Sequence, residues 1–205
     1  MSLAASPEYS AVDAAIPTEP VARFSVDQYH EMIRSGILSE GAPLELLDGW
    51  LVPKMTLNPP HSVATELLRE ALGSAVLQGW SIRVQQPLTL QTSEPESDAA
   101  VVRGGLRTYR DRHPAPEDTA LVVEVADATL ERDRTTKYRL YARAGIPVYW
   151  IVNLVDRQVE VHSDPTGPSG RPEYRQRRVY DASAELSTQI GEGRLAPLAV
   201  ADLLP

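Results

Sequence analysis

Two short apolar runs, each with a carboxylate, constrain what this chain can fold into. The runs are residues 98–102 (DAAVV) and 121–125 (LVVEV). β-Branched runs of this length are typical of buried strands. A carboxylate is costly to bury unless it is paired, hydrogen-bonded or bound to a metal. The runs therefore predict two buried strands, and a metal site is the simplest explanation for Asp98 and Glu124.

A helix and a hairpin are predicted before these runs. Residues 25–28 (SVDQ) match a capping box for a helix that extends to about residue 34. Asp48-Gly49 lies between two apolar runs, which is typical of a type I′ hairpin turn, and Glu45 lies in the first strand of that hairpin. We expect residues 1–22, with three prolines, to form an irregular N-terminal arm, and residues 23–205 to form a single domain.

Strands and helices alternate along the rest of the chain. Helical spacing of apolar residues predicts helices over 61–78 and about 129–144. Further strands are predicted at 81–85, 88–91, 147–152, 158–162 and 174–180. The run 147–152 is the most hydrophobic and belongs in the centre of the sheet. This order predicts an α/β fold: a mixed β-sheet flanked by helices, with an antiparallel C-terminal strand pair.

Composition excludes several kinds of site. The chain has no cysteine, so thiolate zinc sites and disulfides are excluded, and its four histidines form no metal-binding pair. Any metal is therefore expected to bind through oxygen. No apolar stretch approaches the roughly 20 residues that span a bilayer, and no leader pattern precedes residue 20. These features predict a cytoplasmic protein without a membrane partner.

The net charge of −8 disfavours a simple electrostatic nucleic-acid binder, although local patches differ from the average. Residues 103–112 and 171–178 each carry four arginines and one acid. Such patches can hold phosphates, and Tyr109 and Tyr174 are candidate stacking surfaces among them. The alternative is that these arginines are solvated loop residues.

The chemistry that these acids support best is metal-dependent hydrolysis of a phosphodiester. Mg²⁺ prefers carboxylate and carbonyl oxygens and keeps several waters. Asp98 and Glu124 supply carboxylates, the Val125 carbonyl is a candidate third ligand, and Glu45 is a candidate fourth contributor. Lys137 is expected to orient or help deprotonate the attacking water and to stabilise negative charge.

The spacing of Asp133, Lys137 and Tyr141 supports this role for Lys137, because residues four apart share one helical face. The alternative is an ordinary surface pair between Asp133 and Lys137. His61 begins a predicted helix and can reach a phosphate or a metal-bound water, or it is simply a satisfied or exposed histidine. No phosphate-binding glycine loop, serine-hydrolase elbow or dinucleotide fingerprint occurs in the chain.

The order of these fragments resembles the PD-(D/E)XK nuclease superfamily and, more closely, the Uma-two family of restriction endonucleases, once catalogued as a domain of unknown function. The resemblance extends from about residue 24 to residue 161. It is carried by residues 44–49 (LELLDG), 58–61 (NPPH), 94–98 (EPESD), 123–126 (VEVA) and 145–152 (GIPVYWIV), with Asp133, Lys137 and Tyr141.

The resemblance implies a restriction-endonuclease-like fold, Mg²⁺ dependence with Mn²⁺ as a substitute, and hydrolysis of DNA. Asp98 and Glu124 match the metal carboxylates and Lys137 the catalytic lysine. Two positions depart from the pattern: Ser97 replaces a proline, and Ala126 replaces the lysine of the strand. Families of this type can supply the lysine from the following helix, where Lys137 lies.

Two further functions stay open at this point. One is a non-catalytic nucleic-acid or protein interaction module that keeps the nuclease fold, and the other is a hydrolase of a different phosphate ester. A homodimer is expected, since two-fold symmetry suits an enzyme that cuts both strands. The sequence does not specify which DNA sequence or strand form is the target.

Overall fold

A computed structural model describes residues 21–39, 41–55 and 58–205. The predicted N-terminal arm lies outside the described residues except for residues 21 and 22. The first helix, α1, spans Val26–Arg34. Ser25 Oγ accepts the Gln28 N–H at 3.1 Å and Gln28 Oε1 accepts the Ser25 N–H at 2.9 Å. The predicted capping box is therefore confirmed.

The predicted hairpin is also confirmed. Strands β1 (Leu44–Leu47) and β2 (Trp50–Pro53) pair antiparallel, with Leu47 opposite Trp50. Asp48 and Gly49 have φ angles of 49° and 80°, as a two-residue type I′ turn requires. All four residues of β1 are buried, including Glu45.

Helix α2, Pro59–Ala75, begins two residues before the predicted start and ends three residues before the predicted end. Asn58 caps it, because Asn58 Oδ1 accepts the His61 N–H at 3.0 Å. Proline is favoured in a first helical turn, where its missing N–H has no partner to lose. Val76 is extended and ends the helix.

A six-stranded mixed sheet forms the centre of the fold. Its strands are β3 (Trp80–Pro87), β4 (Glu96–Arg103), β5 (Thr119–Ala126), β6 (Val148–Asn153), β7 (Gln158–Pro165) and β8 (Tyr174–Asp181). They lie in the order β3-β4-β5-β6-β7-β8, and only β5 and β6 of this sheet pair parallel. β5 and β6 are buried throughout. The predicted mixed sheet and the C-terminal antiparallel pair are confirmed.

The prediction of a strand at 88–91 is wrong. β3 is one strand that ends at Pro87, and residues 88–91 belong to no strand. Instead, the Leu88 N–H donates to Pro95 O at 3.0 Å and the Leu90 N–H to Ser93 O at 2.9 Å. Leu88 and Leu90 are both buried. The two leucines alternate with polar residues because their side chains are buried in a turn, and not because the segment pairs with a neighbouring strand.

The predicted helix at 129–144 is divided into three parts. They are α3 (Leu130–Arg132), a π-helical turn (Asp133–Lys137) and α4 (Tyr138–Ala144). Gly145, with φ 76°, ends α4 in the left-handed conformation that glycine adopts without steric cost. Such π-helical turns are rare in proteins overall, but those that occur are frequently found at functional sites. The segment Asp133–Lys137 is called the π-turn below.

Helices cover both faces of the sheet. On one face, Leu68 and Leu72 of α2 join a core that includes Val123 and Trp150. On the other face, Leu140 and Tyr141 of α4 pack in a second core. Short strands β9 (Glu185–Leu186), β10 (Gln189–Ile190), β11 (Gly193–Arg194) and β12 (Leu198–Ala199) complete the C-terminal region. Within the described ranges, no helix has the length and apolar character needed to cross a membrane.

Candidate active site

Asp98 and Glu124 meet where β4 and β5 begin to separate. The last pair of the ladder between these strands is Ala99 with Val123, and the two acids are the next residues beyond this pair on each strand. At this point Asp98 Oδ2 accepts the N–H of Val125 at 2.8 Å in place of a continued strand pairing. The structure therefore brings together Asp98, Glu124 and Val125, the three residues that were predicted to surround a metal.

Lys137 reaches this position from the π-turn that follows β5. Its Nζ lies 2.9 Å from Glu124 Oε2 and donates to the Glu96 carbonyl at 3.3 Å. One turn later, the Tyr141 hydroxyl donates to Glu124 Oε1 at 2.6 Å. The two oxygens of Glu124 are thus held by two residues of one helical segment. This arrangement is not the ordinary surface Asp133–Lys137 pair that the sequence left open, because Lys137 is buried.

Glu45 comes to the same cavity from the hairpin. Its Oε2 accepts the Glu96 N–H at 3.2 Å and lies 4.0 Å from Lys137 Nζ. Its Oε1 lies 3.5 Å from Arg132 Nη1 and has no hydrogen-bond partner among the described residues. Glu45 therefore has one oxygen that accepts a hydrogen bond from the protein and one oxygen that is approached only by the Arg132 guanidinium among the described residues.

His61 contacts Asp98 and is not merely an exposed histidine. Its Nε2 lies 3.2 Å from Asp98 Oδ2, and Thr65 Oγ1 is 3.4 Å from its Nδ1. Burial lowers the pKa of His61, but the hydrogen bond and charge of Asp98 outweigh burial, so that the pKa is raised. His61 therefore positions Asp98 Oδ2 together with the Val125 N–H.

Sequence reasoning missed part of this cavity, which has a volume of about 230 Å³. Lys54, Gln85, Glu96 and Arg132 line it without having been predicted as site residues. Asp133 also lines it, and its buried Oδ2 has no hydrogen-bond partner in the described part of the chain. The spacing of Asp133 and Lys137 was the available signal for Asp133. The other four carry no recognisable pattern and come together only in the fold.

Burial and charge shift the ionisation of this cluster. Burial raises the pKa of Glu124 well above its usual range, opposed by the nearby Lys137 charge. Burial also raises the pKa of Asp133. For Lys137, burial acts to lower the pKa, but four carboxylates, beginning with Glu124 and Glu45, outweigh it and raise the pKa. Perturbed ionisable groups that face one cavity are typical of functional sites.

The donors at this cavity suit a hard cation. Carboxylate oxygens predominate, and unpartnered oxygens of Glu45 and Asp133 lie at its wall. Across the described residues, no three acidic or histidine side chains are already arranged around one metal position. Mg²⁺ is usually held by one or two carboxylates with several waters, so the residues fit such an ion without a complete protein cage.

Neither arginine-rich patch lines this cavity. Arg112 pairs with Asp118 at 2.6 Å, and Arg177 pairs with Glu160 at 3.0 Å. Tyr109 and Tyr174 are 7% and 6% exposed, so the expectation that they form base-stacking surfaces is wrong. Both side chains belong to the buried cluster that includes Leu140 and Tyr149, and the guanidinium groups of Arg83 and Arg112 lie over the Tyr109 ring at 5.6 and 5.4 Å.

Comparison with known proteins identifies the family of the chain and a protein of similar fold. The profile of the Uma2 family, described as "Putative restriction endonuclease", matches residues 26–199. The fold is similar to that of a DUF820 protein from Anabaena variabilis ATCC 29413, described as a "putative nuclease", with a TM-score of 0.65 and 16% identity. That similarity covers 88% of this chain and 97% of the other. No curated protein matches the chain. The match over most of its length shows that the chain belongs to the Uma2 family.

Proposed function

We propose that this protein is a Mg²⁺-dependent DNA endonuclease, with Mn²⁺ as a possible substitute. One observation carries the proposal: Asp98, Glu124 and Lys137 line a single cavity, with Lys137 Nζ 2.9 Å from Glu124 Oε2. Membership of a family described as restriction endonucleases supports the same activity. Two carboxylates can hold the divalent cation that phosphodiester hydrolysis uses, and a lysine can stabilise the negative charge that develops.

Asp98, Glu124 and the carbonyl of Val125 are the proposed metal ligands. When bound, the cation would neutralise phosphate charge and lower the pKa of an attacking water. Asp98 is held for this task by His61 and by the Val125 N–H, while Tyr141 holds Glu124. Glu45 fixes the backbone of Glu96, two residues before Asp98. Its Oε1, which lies 3.5 Å from Arg132 Nη1 and accepts no hydrogen bond from the described residues, can accept one from a water.

Lys137 replaces the lysine that the strand lacks at Ala126. Its ammonium group is fixed by Glu124 Oε2 and the Glu96 carbonyl, which leaves it at the wall of the cavity. We propose that it donates a hydrogen bond to the attacking water or to a phosphate oxygen and stabilises the negative charge that develops there. Lys137 lies in the π-helical turn Asp133–Lys137, and its contact with Glu124 of β5 fixes the position of its Nζ.

A second candidate function is a non-catalytic interaction module with the same fold. The net charge of −8 and Ala126 favour it. The buried contact of Lys137 with Glu124 favours catalysis instead, since a lysine is costly to bury and is readily replaced where it has no role. A third candidate function, hydrolysis of another phosphate ester, would use the same residues. The substrate that the protein hydrolyses would distinguish it from a nuclease.

DNA as the partner, a homodimer and a cytoplasmic location belong to this proposal as well. A two-fold symmetric dimer would present one cavity to each strand of a DNA duplex. Sedimentation equilibrium of the free protein tests the dimer directly: a mass near twice 22.5 kDa is expected. A single-chain mass at micromolar concentration contradicts it.

Nicking of supercoiled plasmid with Mg²⁺ or Mn²⁺ tests the proposed activity. Asp98→Ala and Lys137→Ala should each abolish nicking in parallel preparations. Asp202→Ala is the matched control, because Asp202 is exposed and lies in the C-terminal 3₁₀ turn Val200–Leu203. Nicking that survives Asp98→Ala indicates a contaminant. A parent protein without activity towards duplex and single-stranded DNA refutes the nuclease and favours the interaction module.

A further inference from the structure

Gln85 has a backbone conformation that is unusual for its residue type. Its φ is 50°, in the left-handed region, although it lies inside strand β3 and is not glycine. Its neighbours Val84 and Gln86 pair with Ala99 and Ser97 of β4. Gln85 is therefore opposite Asp98. A non-glycine residue in this region costs free energy, and such residues cluster at active sites.

Gln85 is one of the residues that line the cavity of the candidate active site. Within the described residues its carboxamide makes no hydrogen bond to the protein. The carboxamide carries two N–H donors and no charge. It can therefore donate to a ligand without first leaving a partner in the described structure.

The cationic groups at the cavity differ from Gln85 in this respect, because each already has a carboxylate within 4 Å. Lys54 lies 2.6 Å from Glu96, Arg132 lies 3.5 Å from Glu45, and Lys137 lies 2.9 Å from Glu124. His61 likewise contacts Asp98 at 3.2 Å. A phosphate oxygen has to compete with a carboxylate for each of these donors. Among the described residues, no carboxylate accepts a hydrogen bond from the Gln85 carboxamide.

We propose that the Gln85 carboxamide is a substrate-binding group, which donates a hydrogen bond to a non-bridging oxygen of the phosphodiester in the cavity. The inference rests on the proposed nuclease function. The unfavourable left-handed backbone conformation of Gln85 is then retained because it places this side chain in the cavity, opposite Asp98.

Gln85→Gly separates this role from a structural one. Glycine adopts a positive φ without steric cost, so the variant should melt at or above the temperature of the parent. Plasmid nicking should nevertheless fall about 10- to 100-fold in kcat/KM, as expected for the loss of a hydrogen bond to a charged group. Arg157→Gly is the matched control: Arg157 has φ 52° in the turn between β6 and β7, away from the cavity. It should preserve nicking.

DNA binding provides a second readout. With Ca²⁺ in place of Mg²⁺, fluorescence anisotropy of a labelled 20-base-pair duplex should show weaker binding by Gln85→Gly and by the isosteric Gln85→Glu, at least tenfold for the latter. Because glutamine is neutral, Gln85→Gly should leave the dependence of affinity on salt unchanged. Loss of one cationic phosphate contact reduces that slope by about 0.9 instead.

The outcomes distinguish this inference from the proposed function. If the parent nicks plasmid and Gln85→Gly retains kcat/KM within twofold, Gln85 is not a substrate contact and the nuclease stands. If the parent neither cleaves nor binds DNA, both proposals fail. If Gln85→Gly melts below the parent, the DNA affinity of Gln85→Glu is the deciding measurement. An affinity of Gln85→Glu within twofold of that of the parent overturns the inference.

Discussion

Lys137 Nζ lies 2.9 Å from Glu124 Oε2, and the two side chains are only 4% and 3% exposed. Lys137 lies in the π-turn and Glu124 in β5, with α3 between these two elements in the chain, so this contact joins the helical layer to the sheet. Breaking one half of a buried ion pair leaves an uncompensated group in the interior. The pair therefore has a structural role beside its proposed catalytic role, and stability measurements can separate the two contributions.

Lys137→Met should lower the free energy of unfolding by about 3–5 kcal/mol, because Glu124 loses its buried partner. Adding Glu124→Gln should recover part of this loss, since no carboxylate then needs a partner. Urea denaturation of the two single variants and the double variant measures the coupling. Lys54→Met is the control: its pair with Glu96 is 30% exposed on each side and should contribute no more than about 1 kcal/mol. Strictly additive losses would show that Lys137 and Glu124 do not interact.

Tyr141→Phe should reduce stability by about 1–3 kcal/mol, because Glu124 Oε1 loses a buried hydrogen bond of 2.6 Å. It should also reduce plasmid nicking, since Glu124 is then held by Lys137 alone. Tyr180→Phe is a suitable control, as the Tyr180 hydroxyl makes no hydrogen bond within the described residues. Equal stability and equal nicking rates for the two variants would contradict a positioning role for Tyr141.

Mg²⁺ or Mn²⁺ should raise the melting temperature of the parent and not that of Asp98→Asn. A ligand that binds only the folded state stabilises it by mass action, by about 2.7 kcal/mol at a concentration one hundred times its Kd. Differential scanning fluorimetry over a metal titration measures this shift, and Asp202→Asn should respond as the parent does. A parent without any metal-dependent shift would favour the non-catalytic module.

Glu160 makes stability depend on pH in the acidic range. Burial acts against its ionisation, but the nearby His162, whose Nε2 lies 3.8 Å away, and hydrogen bonds from Arg134, Arg177 and Asn153 outweigh burial and lower the pKa of Glu160. A folded-state pKa below the unfolded value stabilises the fold above the unfolded pKa, about 4.3. This contribution is lost as pH falls below that value towards the lower folded-state pKa.

Glu160→Gln should therefore destabilise the protein at pH 7 and flatten the decline of stability below about pH 4.3. Urea denaturation between pH 7 and pH 3 measures both effects. Glu192→Gln, at an exposed position without an ion pair among the described residues, is the control. A parallel decline in Glu160→Gln and the parent would show that Glu160 is not a source of the acid sensitivity.

Local patterns were sufficient where short-range chemistry decides the structure. The capping box at Ser25, the Asp48-Gly49 turn and the end of α4 at Gly145 each depend on residues a few positions apart. The division of the helix at 129–144 was not predictable in this way. The i,i+4 spacing of Asp133 and Lys137 is equally compatible with a regular α-helix, and the π-turn also involves a long-range bond from the Tyr149 hydroxyl to Asp133 O at 3.1 Å.

The sequence by itself determined the mixed α/β sheet and pointed to Asp98, Glu124 and Lys137, because carboxylates in β-branched runs and a lysine on the next helix are visible without coordinates. The sequence also offered Glu45, His61 and Asp133 as candidates, but only the tertiary structure decided that they share one cavity with those three residues and that Gln85 and Arg132 join them there. These residues come from the hairpin, α2, β3, α3 and the π-turn. Their proximity depends on how the strands separate and on how the helices pack. No short-range pattern in the chain encodes that arrangement.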